Sequence, residues 1–298
     1  MTTAASQFPL VQPTRARWSD FYELTKPRMN LLVVSTTLAG YYMAAKGSGA
    51  WQHVAPTLIG TALCAAGASV LNQFSERELD ALMPRTRKRP LPAQRLDPAE
   101  AVGFGVGMAV GGVSVLTFMV NPLTALLAAF TLLSYVLIYT PLKKRSSLNT
   151  IVGAVPGAIP PVMGWTAVHG TIGWPAVAMF GILFLWQIPH FLAIAIMYRN
   201  DYAAAGFKML PVIDQPLTMT SRQIVLFALA LLPVSMLPFW LGMCGGGYLI
   251  AAAIGGLVFL FAGIACAWER TRRRARQLFF ASIIYLPALM AAMIICRR

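Results

Sequence analysis

Residues 56–92 read PTLIGTALCAAGASVLNQFSERELDALMPRTRKRPLP. Up to Leu71 the stretch is apolar or small. It then packs three acids (Glu76, Glu78, Asp80) and five bases (Arg77, Arg85, Arg87, Lys88, Arg89) into a short segment. About 20 apolar residues cross a ~30 Å hydrocarbon layer as a helix, so the stretch reads as a membrane helix emerging at a wet surface.

The rest of the chain follows the same pattern. Only 11% of its 298 residues are charged and 57% are hydrophobic, with a mean hydropathy of +0.65. Soluble domains carry roughly 25% charged residues, which excludes an ordinary soluble fold. Apolar runs recur at about 29–46, 56–75, 99–119, 123–140, 150–168, 174–197, 223–242, 247–268 and 278–296. They predict an all-α membrane protein, a bundle of nine transmembrane helices, with residues 1–24 as a cytoplasmic tail and 25–298 as a single domain. Pro156, Pro160 and Pro161 in the fifth run and Pro189 in the sixth predict kinked or broken helices whose freed carbonyls face protein or a cavity. The N-terminal residues lack the apolar core and cleavage site of a secretory signal. Cys64, Cys244, Cys266 and Cys296 have no close spacing, so they suggest neither zinc nor a disulfide framework and read as small apolar residues.

Nine crossings make ten extramembrane segments, and all but three of the 24 Lys and Arg fall on alternate ones. The exceptions are Lys46, Arg297 and Arg298. Positive charge concentrates on the cytoplasmic side of membrane proteins, which predicts a cytoplasmic N-terminus and an outer C-terminus. The run ERTRRRARQ at 269–277 reads as insertion signal and contact with anionic membrane lipid. With no soluble domain to carry it, nucleic-acid binding is excluded. All ten Asp and Glu also lie on the basic side, which insertion does not require. Mixed acids and bases at one surface suit an anionic, metal-bound substrate.

Asn72, Glu76 and Asp80 are four apart, so they share one helical face about 6 Å apart per step. Two carboxylates and an amide oxygen suit Mg²⁺ bridging to phosphate oxygens, and Arg85, Arg87, Lys88 and Arg89 suit the phosphate itself. The same residues also read as the wet end of a span, and spacing alone leaves both readings open. Further polar residues enter the apolar runs: Tyr139, Lys143, Lys144, Arg145 and Asn149 around YTPLKKRSSLNT, and Gln187, His190, Arg199 and Asp201 in WQIPHFLAIAIMYRND. His190 is either a site residue or a hydrogen-bonded packing residue. Gly103, Gly107 and Gly111 have the small-xxx-small spacing of close helix contacts, either within the bundle or between subunits, and packing within the bundle is expected.

These motifs resemble those of the intramembrane prenyltransferase superfamily that includes 4-hydroxybenzoate polyprenyltransferase. The superfamily's N-x-x-x-D-x-x-x-D pattern followed by R-T-x-x-R-P is matched by NQFSERELD at 72–80 and PRTRKRP at 84–90. Its haem-modifying branch carries W-Q-x-P-H-F and Y-R-x-D-Y-x-x-A-G-F-x-M-L, present here as WQIPHF at 186–191 and YRNDYAAAGFKML at 198–210. The resemblance runs from about Thr25 to the end. Two departures stand out. Glu76 replaces a common Asp, leaving the coordination undefined, and Arg199 with Asp201 stands where other branches carry a second aspartate pair.

The resemblance implies transfer of farnesyl from farnesyl diphosphate to a vinyl group of haem B with addition of water, giving haem O. It implies an Mg²⁺ cofactor, a membrane cavity with cytoplasmic loops capping it, and residence in the bacterial inner membrane. Asn72, Glu76 and Asp80 would hold the metal, with Arg85, Arg89, Lys143 and Arg145 around the diphosphate. Tyr139, Asn149, Gln187, His190, Arg199 and Asp201 would bind substrate. The candidate protein partners are haem A synthase and a terminal oxidase. An aromatic quinone precursor as acceptor, or a transporter, are the rival readings. WQIPHF speaks against the first, and the lack of an internal repeat against the second.

Overall fold

The computed structural model describes residues 17–45, 47 and 51–298. Most of the expected tail, with Arg15, lies outside the described residues, as does Lys46. A short helix, α1 (Trp18–Leu24), precedes α2 (Pro27–Ala44), α3 (Val54–Leu82) and α4 (Pro98–Met119). Next come α5 (Pro122–Leu133), a π-helical stretch at Ser134–Tyr139, and α6 (Thr140–Arg145), which continue one another. Then follow α7 (Asn149–Ala158), α8 (Pro160–His169), α9 (Trp174–Met197), α10 (Arg199–Ala204), α11 (Leu210–Ile213), α12 (Thr218–Trp240), α13 (Gly246–Glu269) and α14 (Arg272–Ile295).

Among the described residues, eight helices are long and apolar enough to cross a membrane, counting α5–α6 and α7–α8 as one each. The first predicted span does form a helix, α2, but Arg28, Asn30, Ser35, Thr36 and Thr37 dilute its apolar character, and it is not one of the eight. Phe118, Trp240, Trp268 and Ile295 present large apolar surface outward, as lipid-facing helices do.

Inside lipid, helices associate by close van der Waals packing and not by hydrophobic exclusion. The backbones of α2 and α8 accordingly touch: a Cβ on Gly40 would lie 2.0 Å from Pro161 O, and one on Gly164 2.0 Å from Thr37 O. Helices α3 and α4 meet the same way, through Gly67 against Gly105 O and Gly112 against Cys64 N, each 2.7 Å from a would-be Cβ. The expectation for Gly103, Gly107 and Gly111 is corrected here. A Cβ on any of them meets nothing within 4 Å, so they face away from the bundle, and the contact face of α4 is Gly105, Ala109 and Gly112.

The two proline-bearing runs behave differently. The fifth is interrupted at Ile159, between α7 and α8. The sixth is not broken: α9 runs through Pro189 without interruption, buried over most of its length with Met179, Ile182, Ile188 and Leu192 fully enclosed. The sequence did not announce the π-helical stretch. Pro141 lacks the N–H that would bond Leu137 O, and Thr140 N bonds back to Tyr135 O, five residues away.

Candidate active site

At one end of the bundle, the last three turns of α3 bring Asn72, Glu76 and Asp80 inward, and all are buried, at 2%, 6% and 1% exposure. Each meets a base from a different segment. Lys26, between α1 and α2, donates to Asn72 Oδ1 at 3.2 Å. Lys143 of α6 donates to Glu76 Oε2 at 3.1 Å, and Arg89, in the loop after α3, donates to Asp80 Oδ2 at 2.7 Å. Buried charge is tolerated only when paired, so the two acids fix where Lys143 and Arg89 stand.

Lys26 escaped the sequence reading because its partner lies 46 residues away, where no spacing rule reaches. Its backbone sits in the left-handed region, with φ 49°. Burial, reinforced by Arg89 and Lys143, pushes its ammonium down to about 7 against the pull of Glu76 and Asp80.

The aromatic floor comes from the π-helical turn. Lys143 Nζ stands 4.6 Å over the Tyr139 ring and 5.8 Å from that of Phe207. Tyr139 lies so close to Gly153 that a Cβ there would be 2.5 Å from its ring. Thr140 Oγ1 accepts from Asn72 Nδ2 at 3.0 Å and donates to Tyr135 O, tying the turn to α3.

The remaining site expectations divide. Arg85 stands at the exposed rim, stacked 4.7 Å over Tyr198. Arg145 is exposed and takes no part in the cluster. Asn149, fully buried, donates to Ser146 O at 2.6 Å and Lys208 O at 3.1 Å, clipping the start of α7 to the segment after α10. Gln187 donates to Leu183 O and Ala154 O, and its Oε1 is 2.0 Å from where a Cβ on Gly157 would stand, so it joins α9 to α7.

His190 points instead toward α14. Its ring lies between Trp186 (4.9 Å) and Phe279 (5.2 Å), and its Nδ1 is 2.6 Å from Ser282 Oγ. Ser282 Oγ also lies within hydrogen-bond distance of Phe279 O, at 2.5 Å. No ion pair links Arg199 to Asp201 among the described residues.

Several acids of the same face do structural work. Asp97 caps α4, Asp214 accepts from Thr218 N and Thr220 N at the start of α12, and Glu269 pairs with Arg274. Only Glu76 and Asp80 are buried in the cluster.

The donor set fits a hard divalent cation. Lys143 Nζ comes within 2.8 Å of Glu76 Oε1, but only Oε2 is aligned to accept its hydrogen bond, and Oε1 is buried without one. Two carboxylates and an amide oxygen on one helix face are a donor set that Mg²⁺ accepts when phosphate and water complete its shell. Among the described residues no three His, Cys, Asp or Glu side chains converge, so the protein offers a partial shell and no closed cage.

One end of the helical bundle thus carries a buried acid face ringed by bases, a surface suited to an anionic, metal-bound substrate. The chain belongs to the UbiA prenyltransferase family, whose pattern matches residues 33–284. Within that family it is 45% identical over 287 residues to the Solibacter usitatus protein named protoheme IX farnesyltransferase, covering 93% of this chain and 98% of that one. The Myxococcus xanthus protein of the same name is 44% identical, with 94% and 95% covered. Among solved structures, digeranylgeranylglyceryl phosphate synthase shares the fold with a TM-score of 0.77 at 19% identity, covering 93% of this chain and 97% of that one.

Proposed function

We propose that this protein transfers the farnesyl group of farnesyl diphosphate to a vinyl group of haem B, with addition of water, releasing diphosphate and haem O. The observation that carries the prenyl chemistry is the convergence of Lys26, Arg89 and Lys143 on the buried Asn72–Glu76–Asp80 face. The acceptor rests on WQIPHF and on relatives named for protohaem at 44–45% identity.

Asn72, Glu76 and Asp80 would hold Mg²⁺, which when bound supplies positive charge against the leaving diphosphate. A UbiA homologue from Archaeoglobus fulgidus is described as bound to DMAPP and Mg²⁺. Arg89 and Lys143, which neutralise the acids in the structure, and Lys26, which meets Asn72, turn to the phosphate oxygens in the complex, and Arg85 meets the diphosphate at the rim. Preorganised positive charge around a leaving anion is commonly the largest catalytic effect. The C–O bond to diphosphate breaks, leaving an allylic cation. The vinyl π electrons of haem form the new C–C bond, and water adds to the resulting cation with loss of a proton. No protein nucleophile is needed.

Tyr139 and the ring of Phe207 flank the cation, and His190 is assigned to the haem side. Arg145 is assigned to the outer rim of the diphosphate site, Arg199 and Asp201 to the haem propionates and the mouth, and Asn149 and Gln187 hold the wall helices. The finer architecture belongs to the same reading: α2 is the ninth crossing, the helices enclose a central cavity, and residues 25–298 form one domain. The charged end faces the cytoplasm of a bacterial inner membrane, since nearly all Lys and Arg lie there.

Membranes containing the protein, incubated with farnesyl diphosphate and either haem B or 4-hydroxybenzoate, separate the readings by chromatography. A farnesylated haem of the mass of haem O is expected. Prenylated benzoate with unchanged haem B would overturn the acceptor assignment.

A further inference from the structure

Arg95 lies outside every motif that brought attention to the site, in the turn before α4, yet its guanidinium reaches three separate acceptors. Nη1 donates to Asp20 Oδ1 at 2.6 Å, and Nη2 donates to Glu23 Oε2 at 2.8 Å and to Lys88 O at 3.1 Å. Asp20 is 3% exposed, and its other oxygen accepts from Arg17 N, closing the first turn of α1. One side chain thus joins α1 to the basic loop.

Both ends of that joint lead into the site. On one side α1 is seated by Leu24, which is fully buried against Val70, Leu91, Leu96 and Ala101, and by Gln73 Nε2, which donates to Leu24 O at 2.6 Å. Two residues on stands Lys26, turned by its positive φ so that its ammonium meets Asn72. On the other side Lys88 is the neighbour of Arg89, whose guanidinium holds Asp80. The two cations nearest the first and last ligands of the α3 face therefore share a support, and that support is Arg95.

We infer that Arg95 is a positioning residue for diphosphate binding: it clamps α1 to the 83–97 loop, and so sets Lys26 and Arg89 together over the acid face. This rests on the diphosphate reading of that face. The clamp needs a planar fork with several donors. A lysine there keeps the charge but cannot serve Asp20, Glu23 and Lys88 O from one rigid plane.

Substitution Arg95→Gln should raise KM for farnesyl diphosphate by about tenfold, the scale of lost hydrogen bonds to charged groups, while KM for haem B stays within about twofold. Arg95→Lys should fall between. In a Lys26→Met background the Arg95→Gln effect should shrink, because part of it acts through Lys26 and coupled sites are not additive. If Arg95→Gln does not accumulate as folded protein, Asp20→Asn weakens the same clamp with shape retained and is expected to give the same selective rise. A fall only in the amount of active enzyme, with both KM values unchanged, would overturn the proposal, as would an equal rise for both substrates. Asp80→Asn run in parallel keeps the two readings apart. If it is inactive while Arg95 variants bind normally, the clamp alone fails; if it is fully active, the diphosphate site itself fails.

Discussion

Asp80 has its carboxylate in an ion pair with Arg89 and its carbonyl oxygen bonded by Thr86 Oγ1, so a change there acts on charge first. Asp80→Asn is expected to lower haem O formation by about 10²- to 10³-fold, the scale of losing one electrostatic partner of a leaving group, and to lower thermal stability as well, because Arg89 loses the charge that pairs it. Retained Mg²⁺-dependent turnover would remove Asp80 from the metal set. Gly157 makes a packing test, because an added Cβ would stand 2.0 Å from Gln187 Oε1. Gly157→Ala should destabilise the protein by about 1–3 kcal/mol, whereas Gly107→Ala, inside α4 with open space beside it, should hold or slightly raise the thermal midpoint. Residues 72, 76 and 80 were legible as one face because a helix repeats near every four residues. Lys26 and Arg95 were not, since their partners are 46 and 75 residues distant, and chain folding alone brings them together.

At the scale of elements, the π-helical turn at Ser134–Tyr139 decides where Tyr139, Thr140 and Lys143 point. It stands beside Pro141, and replacing that proline restores an N–H able to bond Leu137 O and re-form regular α-helix. Pro141→Ala is therefore expected to keep the bundle folded while lowering turnover by about 10- to 100-fold, the range that a misplacement near 1 Å produces. Unchanged turnover together with an unchanged melting temperature would show that the turn has no part in the site. Helix existence was readable from apolar length, but helix facing was not. Small residues stand at Gly103, Gly107 and Gly111 and also at Gly105, Ala109 and Gly112, and only the partner helix α3 decides between those faces. Prolines were similarly ambiguous: Pro160 marks a real interruption, while Pro189 is absorbed into α9 by the helices packed around it.

For the whole molecule, the charge alternation predicts the proposed orientation, and the structure gathers the acid face, Arg85, Arg89, Lys143 and Arg95 at one end of the bundle. In intact cells, with the four native cysteines replaced, a membrane-impermeant thiol reagent should label Thr171→Cys, in the loop between α8 and α9, and not Arg273→Cys. The reverse pattern would invert the proposed topology. The central claim, that this charged end transfers farnesyl to haem with Mg²⁺ on the α3 face, is tested most directly with purified protein, farnesyl diphosphate and haem B. Haem O and diphosphate are measured together as a chelator is added and Mg²⁺ is then restored. Equal amounts of the two products, lost with the chelator and recovered with Mg²⁺, are predicted; diphosphate released without haem O, or haem O formed undiminished in chelator, would contradict the account.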